Sequence, residues 1–150
     1  MEVLFMNNNN NENEVKNGLF PIGDENLAFQ KYFTGLTFHN SLVKDSNVNV
    51  TVSNVSFKPG SRNNWHIHHN GYQILLVTGG EGWYQEEGKK ARLLHPGDVV
   101  ITLDGVKHWH GATKDSWFSH IAITAGTPIW EEPVSDADYD QLSTEDVNND

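Results

Sequence analysis

The 150-residue chain contains no cysteine. This excludes disulfides, a thiolate nucleophile and cysteine-bound zinc. Positive charge is also scarce: 10 Lys and Arg stand against 20 Asp and Glu, for a formal net charge of -10. Phosphate binding needs a basic face, so nucleic acid is not an expected partner, and an anionic membrane surface is disfavoured for the same reason. No run reaches the roughly 18 consecutive apolar residues of a transmembrane helix. The opening MEVLFMNNNNNENEV has neither a basic n-region nor a sustained apolar h-region. A secretory signal is therefore not expected, and cytoplasm is the default compartment. Neither a G-x-G-x-x-G or P-loop cradle nor a G-x-S-x-G elbow occurs.

What is present reads as one domain, large enough for a core. Residues 1–18 form an Asn-rich segment, with Asn7–Asn13 at its centre, expected to be a flexible arm. Residues 19–47 are expected to add an N-terminal strand segment. A strand at Tyr32–His39 would lie at a sheet edge, and an uncovered edge favours a homodimer. Residues 48–130 carry the strand pattern and residues 131–150 a C-terminal helix and tail.

Val48, Val50 and Val52 alternate, then Val55 and Phe57 resume out of phase, which predicts a bulge near Ser53 and Asn54. Further strands are predicted at Asn64–His68, Gln73–Thr78, Glu81–Gln85, Ala91–Leu94, Asp98–Thr102, Trp109–Ala112 and Trp117–Thr124. Gly- and Pro-containing turns separate them. Many short strands with such turns indicate an all-β sandwich or barrel. Ser135 followed by Asp136 and Asp138 predicts an N-cap and a short helix over Asp136–Leu142. Ser143–Asp150 is expected to fray.

The chemistry concentrates in Gly60–Gly80 and Gly97–Gly111. A His-x-His pair on a strand directs both rings to one face, because strand side chains alternate with period two. His66 and His68 form that pair, Gln73 follows on the next strand-like run, and His108 arrives from a distant one. Three imidazoles and an amide oxygen suit a first-row divalent cation, with positions left open for water or substrate. Because all four donors are neutral, the ion keeps its full charge, which favours polarising a carbonyl or holding an anion over oxidation to a 3+ state. His110 shares the strand parity of His108 and is expected to face the same cavity, as a proton-transfer or supporting group.

These segments resemble the cupins. Their first motif, G-x5-H-x-H-x3,4-E-x6-G, is matched by Gly60, His66, His68 and Gly80, with Gln73 in place of Glu. Their second, G-x5-P-x-G-x2-H-x3-N, is matched by Gly97, Gly105 and His108, with Leu103 for Pro and Ala112 for Asn. The strings PGSRNNWHIHHNGYQILLVTGGEGWYQEEG and HPGDVVITLDGVKHWHGATKDSWFSHIAI are similar to the small carboxymuconolactone decarboxylase-associated cupins and the bacterial cupin hydroxynitrile lyases. Tyr32-Phe33-Thr34-Gly35 extends the likeness upstream.

The resemblance implies a cupin-type double-stranded β-helix, a jelly-roll barrel with an N-terminal arm and a short C-terminal helix. It also implies a homodimer and Mn²⁺ at His66, His68, Gln73 and His108, with Fe, Zn or Ni as other occupants. His120 is placed in the pocket, as an acid/base or substrate-orienting residue beside His110. The expected function is metal-dependent lyase chemistry on a small carbonyl- or hydroxyl-bearing substrate, hydroxynitrile lyase-like or decarboxylase-linked. An Fe-dependent dioxygenase and a non-enzymatic ligand-binding cupin are the alternatives.

Other residues carry plainer expectations. His69 has outward parity, and His39 and His95 are assigned to the surface. Trp65, Trp83, Tyr84 and Trp109 are assigned to packing. Arg62 is read as a surface or turn-bracing residue more than a carboxylate clamp, Lys107 as solvent-exposed, and Glu81–Lys90 as a hairpin with a solvated tip.

Overall fold

The structure, a computed structural model, describes residues 10–147. It is built from antiparallel strands: β1 (Asp24–Glu25), β2 (Phe33–Thr34), β3 (Thr37–Ser41), β4 (Thr51–Phe57), β5 (Arg62–Asn63), β6 (His66–Gly80), β7 (Gly82–Glu86), β8 (Arg92–Leu94), β9 (Val99–Thr102), β10 (His108–Ala112) and β11 (Phe118–Trp130). Three short helices accompany them: α1 (Glu12–Lys16), α2 (Asp136–Asp140) and α3 (Thr144–Val147). One layer runs β1-β3-β4-β11-β6, with β9 on the far side of β6; the other joins β2, β5, β10, β7 and β8. The layers meet where His66, at the start of β6, pairs with both His108 of β10 and Trp130 of β11. The all-β jelly-roll expectation holds.

The core between the layers contains Val55, Phe57, Leu75, Val77, Leu94, Val100 and Phe118. A second cluster places Trp83, Trp109, Val134 and Tyr139 together, with Trp65 packed against them. Ser135 caps α2 by accepting from the Asp138 amide, as its sequence predicts. Arg62 holds this helix in place: it is buried, donates to Val134 O and Asp136 Oδ1 (2.9 and 2.7 Å), and lies 4.2 Å from the Tyr139 ring. It is a brace, but an internal one.

The bulge expected at Ser53 and Asn54 is not there. β4 pairs without interruption to β3 and β11. Val48 and Val50 precede the strand, so their alternation belongs to the loop. The real irregularity is in β6. The predicted strand Gln73–Thr78 and the His66–His68 part of Asn64–His68 fall within one continuous strand, whose pairing with β11 shifts between Ser119 and His120 and, nearer His68, between Ala125 and Thr127. Asn70 there has φ 56°, a left-handed value that Asn tolerates. A Cβ on Gly71 would stand 1.9 Å from Ala125 O, so only glycine fits.

Three further expectations change. The N-terminal segment is not an arm throughout: α1 seats Val15 in a buried position, and Glu14 accepts from the Gly80 amide at 3.1 Å. Asn7–Asn9 lie outside the described residues. The tail holds α3, with residues 148–150 outside the described part. The edge strand β3 is paired on both sides, by β4 and, at Phe38 and His39, by β1, which covers within the chain part of what a partner was expected to cover. Among the described residues, no helix is long and apolar enough to cross a membrane.

Gly71→Ala is expected to lower the unfolding free energy by about 3 kcal/mol, since a backbone clash in a paired strand has no flexible neighbour to yield. Urea denaturation monitored by tryptophan fluorescence measures this; an unchanged midpoint would refute the crossing geometry.

Candidate metal centre

The bulge at Asn70 and Gly71 makes the site possible. His66 and His68 are separated from Gln73 by an odd step, so a regular strand would turn Gln73 outward. The extra residue resets the alternation, and His66, His68 and Gln73 are all buried on the inner face. β10 delivers His108, opposite His66 in register. The imidazole nitrogens of His66, His68 and His108 gather within 4.8 Å of one another.

Hydrogen bonds fix what each donor offers. His66 Nδ1 gives its proton to Asn64 O (2.9 Å) and His108 Nδ1 to Val106 O (3.0 Å). A carbonyl only accepts, so both Nε2 atoms carry lone pairs. Gln73 donates Nε2–H to Thr124 Oγ1 (3.0 Å), which turns Oε1 toward the histidines. His108 Nε2 and Gln73 Oε1 then face each other at 3.3 Å, two acceptors with no proton between them. Both nitrogens of His68 are buried without a partner, a cost of about 1–3 kcal/mol per atom unless a ligand supplies one. These residues fit a divalent cation: converging lone pairs, orphaned nitrogens and backbone carbonyls that hold the rings.

Burial, with like charge nearby, keeps the rings neutral. The His108 pKa falls from 6.5 to about 4, chiefly by desolvation. Desolvation, followed by repulsion from His108, takes His66 well below its usual value, and burial also lowers His68. Neutral imidazole is the form that ligates metal.

Beside the donors lies a second pair. His110 and His120 are fully enclosed, with His120 Nε2 3.1 Å from His110 Nδ1 and His110 Nε2 3.2 Å from Gln73 Oε1. The amide oxygen accepts, so His110 carries its proton on Nε2, and its Nδ1 receives from His120 Nε2–H and from Asn63 Nδ2, 3.4 Å away. His120 Nδ1 is left as a lone pair, buried and without a partner. Desolvation brings the His120 pKa down to about 3, and desolvation followed by the charge of His120 lowers His110 well below its usual range. Asn63 fixes the backbone here, accepting from the His110 amide at 2.9 Å.

These groups open on a cavity of about 160 Å³ lined by His66, His68, Gln73, His110 and His120. Its remaining wall comes from residues the sequence did not assign to the site. Trp130 lies over His66 at 4.6 Å and stacks on Tyr32 at 4.6 Å. Phe33, Val55 and Ala122 form an apolar middle. His39, expected at the surface, is half-buried and lines the cavity, because β3 lays it opposite Val55 on the inner face. His69 and His95 are exposed, as expected. Lys107 is not free: only 16% of its side chain is exposed, and Glu132 binds it at 2.8 Å. Trp65, Trp83, Tyr84 and Trp109 pack in the two core clusters, and Glu81–Lys90 spans β7 and the turn before β8.

A family model described as a cupin domain matches residues 53–123. The chain is 45% identical over 94 residues to the (R)-mandelonitrile lyase of Granulicella tundricola, a match covering 60% of this chain and 71% of that protein. A cupin-like protein of Thermotoga maritima superposes with TM-score 0.77 at 40% identity, over 84% of this chain and 97% of that one. The DMSP lyase DddQ of Ruegeria pomeroyi, at 19% identity and TM-score 0.56 over 81% of this chain and 60% of that one, shares the fold.

The metal-free protein should lose stability in acid. A histidine with its folded pKa at about 4, against 6.5 unfolded, withholds a proton that the unfolded chain accepts. The stabilisation is therefore complete above pH 6.5 and declines as pH falls toward the folded value, with a slope of about 1.4 kcal/mol per pH unit for each such group. Urea midpoints in EDTA should hold steady from pH 8 to 7 and drop between pH 6.5 and 5. A flat profile across that window would contradict the buried, neutral cluster.

Proposed function

The chain belongs to the cupin superfamily, and from that premise we propose that it is a metal-dependent lyase cleaving a small hydroxyl-bearing substrate, of the cyanohydrin type, to a carbonyl compound and a leaving anion. One observation carries this reading: a neutral three-histidine, one-amide donor cluster shares its cavity with a histidine pair in which His120 Nδ1 keeps an unengaged lone pair. The 45% identical relative supports the substrate class, being a mandelonitrile lyase.

His66, His68, His108 and Gln73 would hold the ion, with Mn²⁺ favoured by the likeness to manganese cupins. A divalent cation so held supplies positive charge and Lewis acidity to the cavity. His120 Nδ1 takes the substrate hydroxyl proton. The oxygen electron pair forms the carbonyl as the carbon–cyanide bond breaks and its electrons leave with cyanide. The imidazolium of His120 then returns the proton, giving hydrogen cyanide. His110 orients His120 through the Nε2–Nδ1 contact and shares the transient charge with Gln73. Burial keeps His120 unprotonated at neutral pH and makes it a weak base, one that returns the proton readily to the departing cyanide. Association of two copies is part of the proposal, supported by the exposed apolar residues Leu76, Val99 and Ile101 on one outer sheet face.

Mandelonitrile cleavage, followed by benzaldehyde absorbance, should require added Mn²⁺ and stop on chelation. His120→Gln should lower kcat by roughly 10²- to 10⁴-fold while leaving Mn²⁺ binding unchanged. No metal-dependent cleavage of mandelonitrile or related cyanohydrins would overturn the lyase reading.

A further inference from the structure

The cavity has a second polar end. Opposite the donor cluster its lining includes Asn26, His39 and Ser53, contributed by the chain after β1 and by β3 and β4. Strand register sets their position. His39 pairs with Val55, and Val55 with His120, so the three occupy one row across the inner face. His39 and His120 are thus two strand spacings apart, about 10 Å along the sheet, with the apolar Val55 between them. Asn26 lies two residues to one side of His39, beside Thr37, while Ser53 pairs with Ser41 and Ala122 two residues to the other side and stays apart from them. The Asn26 amide nitrogen reaches Thr37 Oγ1 at 3.3 Å, while its carbonyl oxygen is not engaged by that bond. None of these residues belongs to the donor cluster or contacts it by hydrogen bond.

The waist between the ends is made of Phe33, Val55 and Ala122. A volume near 160 Å³ is comparable to cavities that hold one benzene ring, which are about 150 Å³. We propose that His39 and Asn26 form a recognition subsite for a polar substituent at the far end of a single-ring substrate. The favoured class is an aromatic compound with the reacting carbon at the metal end and a hydroxyl group para to it. The hydroxyl would donate to the His39 ring or the Asn26 carbonyl, and an unsubstituted ring would leave those groups unpaired. This rests on the lyase reading for the orientation of the substrate, but the test measures binding alone.

The experiment titrates Mn²⁺-loaded protein with benzaldehyde and 4-hydroxybenzaldehyde, read by calorimetry. The para-hydroxyl should tighten binding to the wild-type protein by roughly 5- to 10-fold. In His39→Leu the preference should fall below about 2-fold with benzaldehyde affinity kept, and His39→Gln, which keeps a hydrogen-bonding group, should restore part of it. Thermal melts confirm that each variant is folded. Equal affinity for both aldehydes in wild type, or a preference that survives His39→Leu, would overturn the subsite. Loss of mandelonitrile cleavage with the binding preference intact would instead count against the lyase reading alone.

Discussion

Between His68 and Gln73, strand β6 has to change which of its residues face inward, and it does so by taking one more residue than its partner β11. Asn70 accepts the left-handed conformation and Gly71 the close approach to Ala125 O. Without that step the amide would point to solvent while the two histidines pointed in. The same step bends the longest strand pair in the molecule, letting β6 serve one layer through Gln73–Gly80 and meet the other at His66. Fold closure and donor convergence therefore have a common cause.

The donors are placed by strands, but their protonation is set by partners. His66 and His108 give protons to carbonyls only two residues away in sequence. Those short-range bonds orient lone pairs inward without a buried carboxylate, and the donor set stays neutral. A glutamate at position 73 would cancel one unit of the cation's charge and would present a second acceptor oxygen where the amide nitrogen now donates to Thr124. Electrophilicity and geometry would change together.

The donors were legible because their spacing is local and their chemistry is unusual. His-x-His on a strand, a nearby amide and a histidine beyond a Gly/Pro turn are visible in one reading of the chain. The strand parity that put His110 in the cavity was equally readable. His39 was not, because its pairing partner Val55, and His120 beyond it, are brought into its row by strand pairing across separations of 16 and 81 residues. Trp130 escaped notice for the same reason, lying outside both motifs yet packed over His66. The phase slip was recognised in kind but assigned to β4, since Val48 and Val50 mimic a strand that begins only at Thr51. Lys107 looked solvent-exposed because the acidic residues that engage it, Glu131 and Glu132, come from beyond the end of β11.

Gln73 joins the two halves of the site. Its single oxygen lies 3.3 Å from His108 Nε2 and 3.2 Å from His110 Nε2, so the same atom meets a histidine of the metal-ligand cluster and the first member of the His110–His120 pair. A hydrogen bond from His110 draws electron density onto that oxygen, and a cation held there would draw on the same density, so the two would compete for one atom. Charge arriving at one side is felt at the other through one amide. Under the proposed lyase reading, this makes the order His120, His110, Gln73 more than a line of neighbours. A proton taken up at His120 Nδ1 would stabilise the polarity that runs toward Gln73, and the amide, unlike a carboxylate, would not trap that proton by accepting it. An acid/base pair beside a cation would need a link that conveys polarity without storing charge, and a glutamine held by Thr124 meets that requirement.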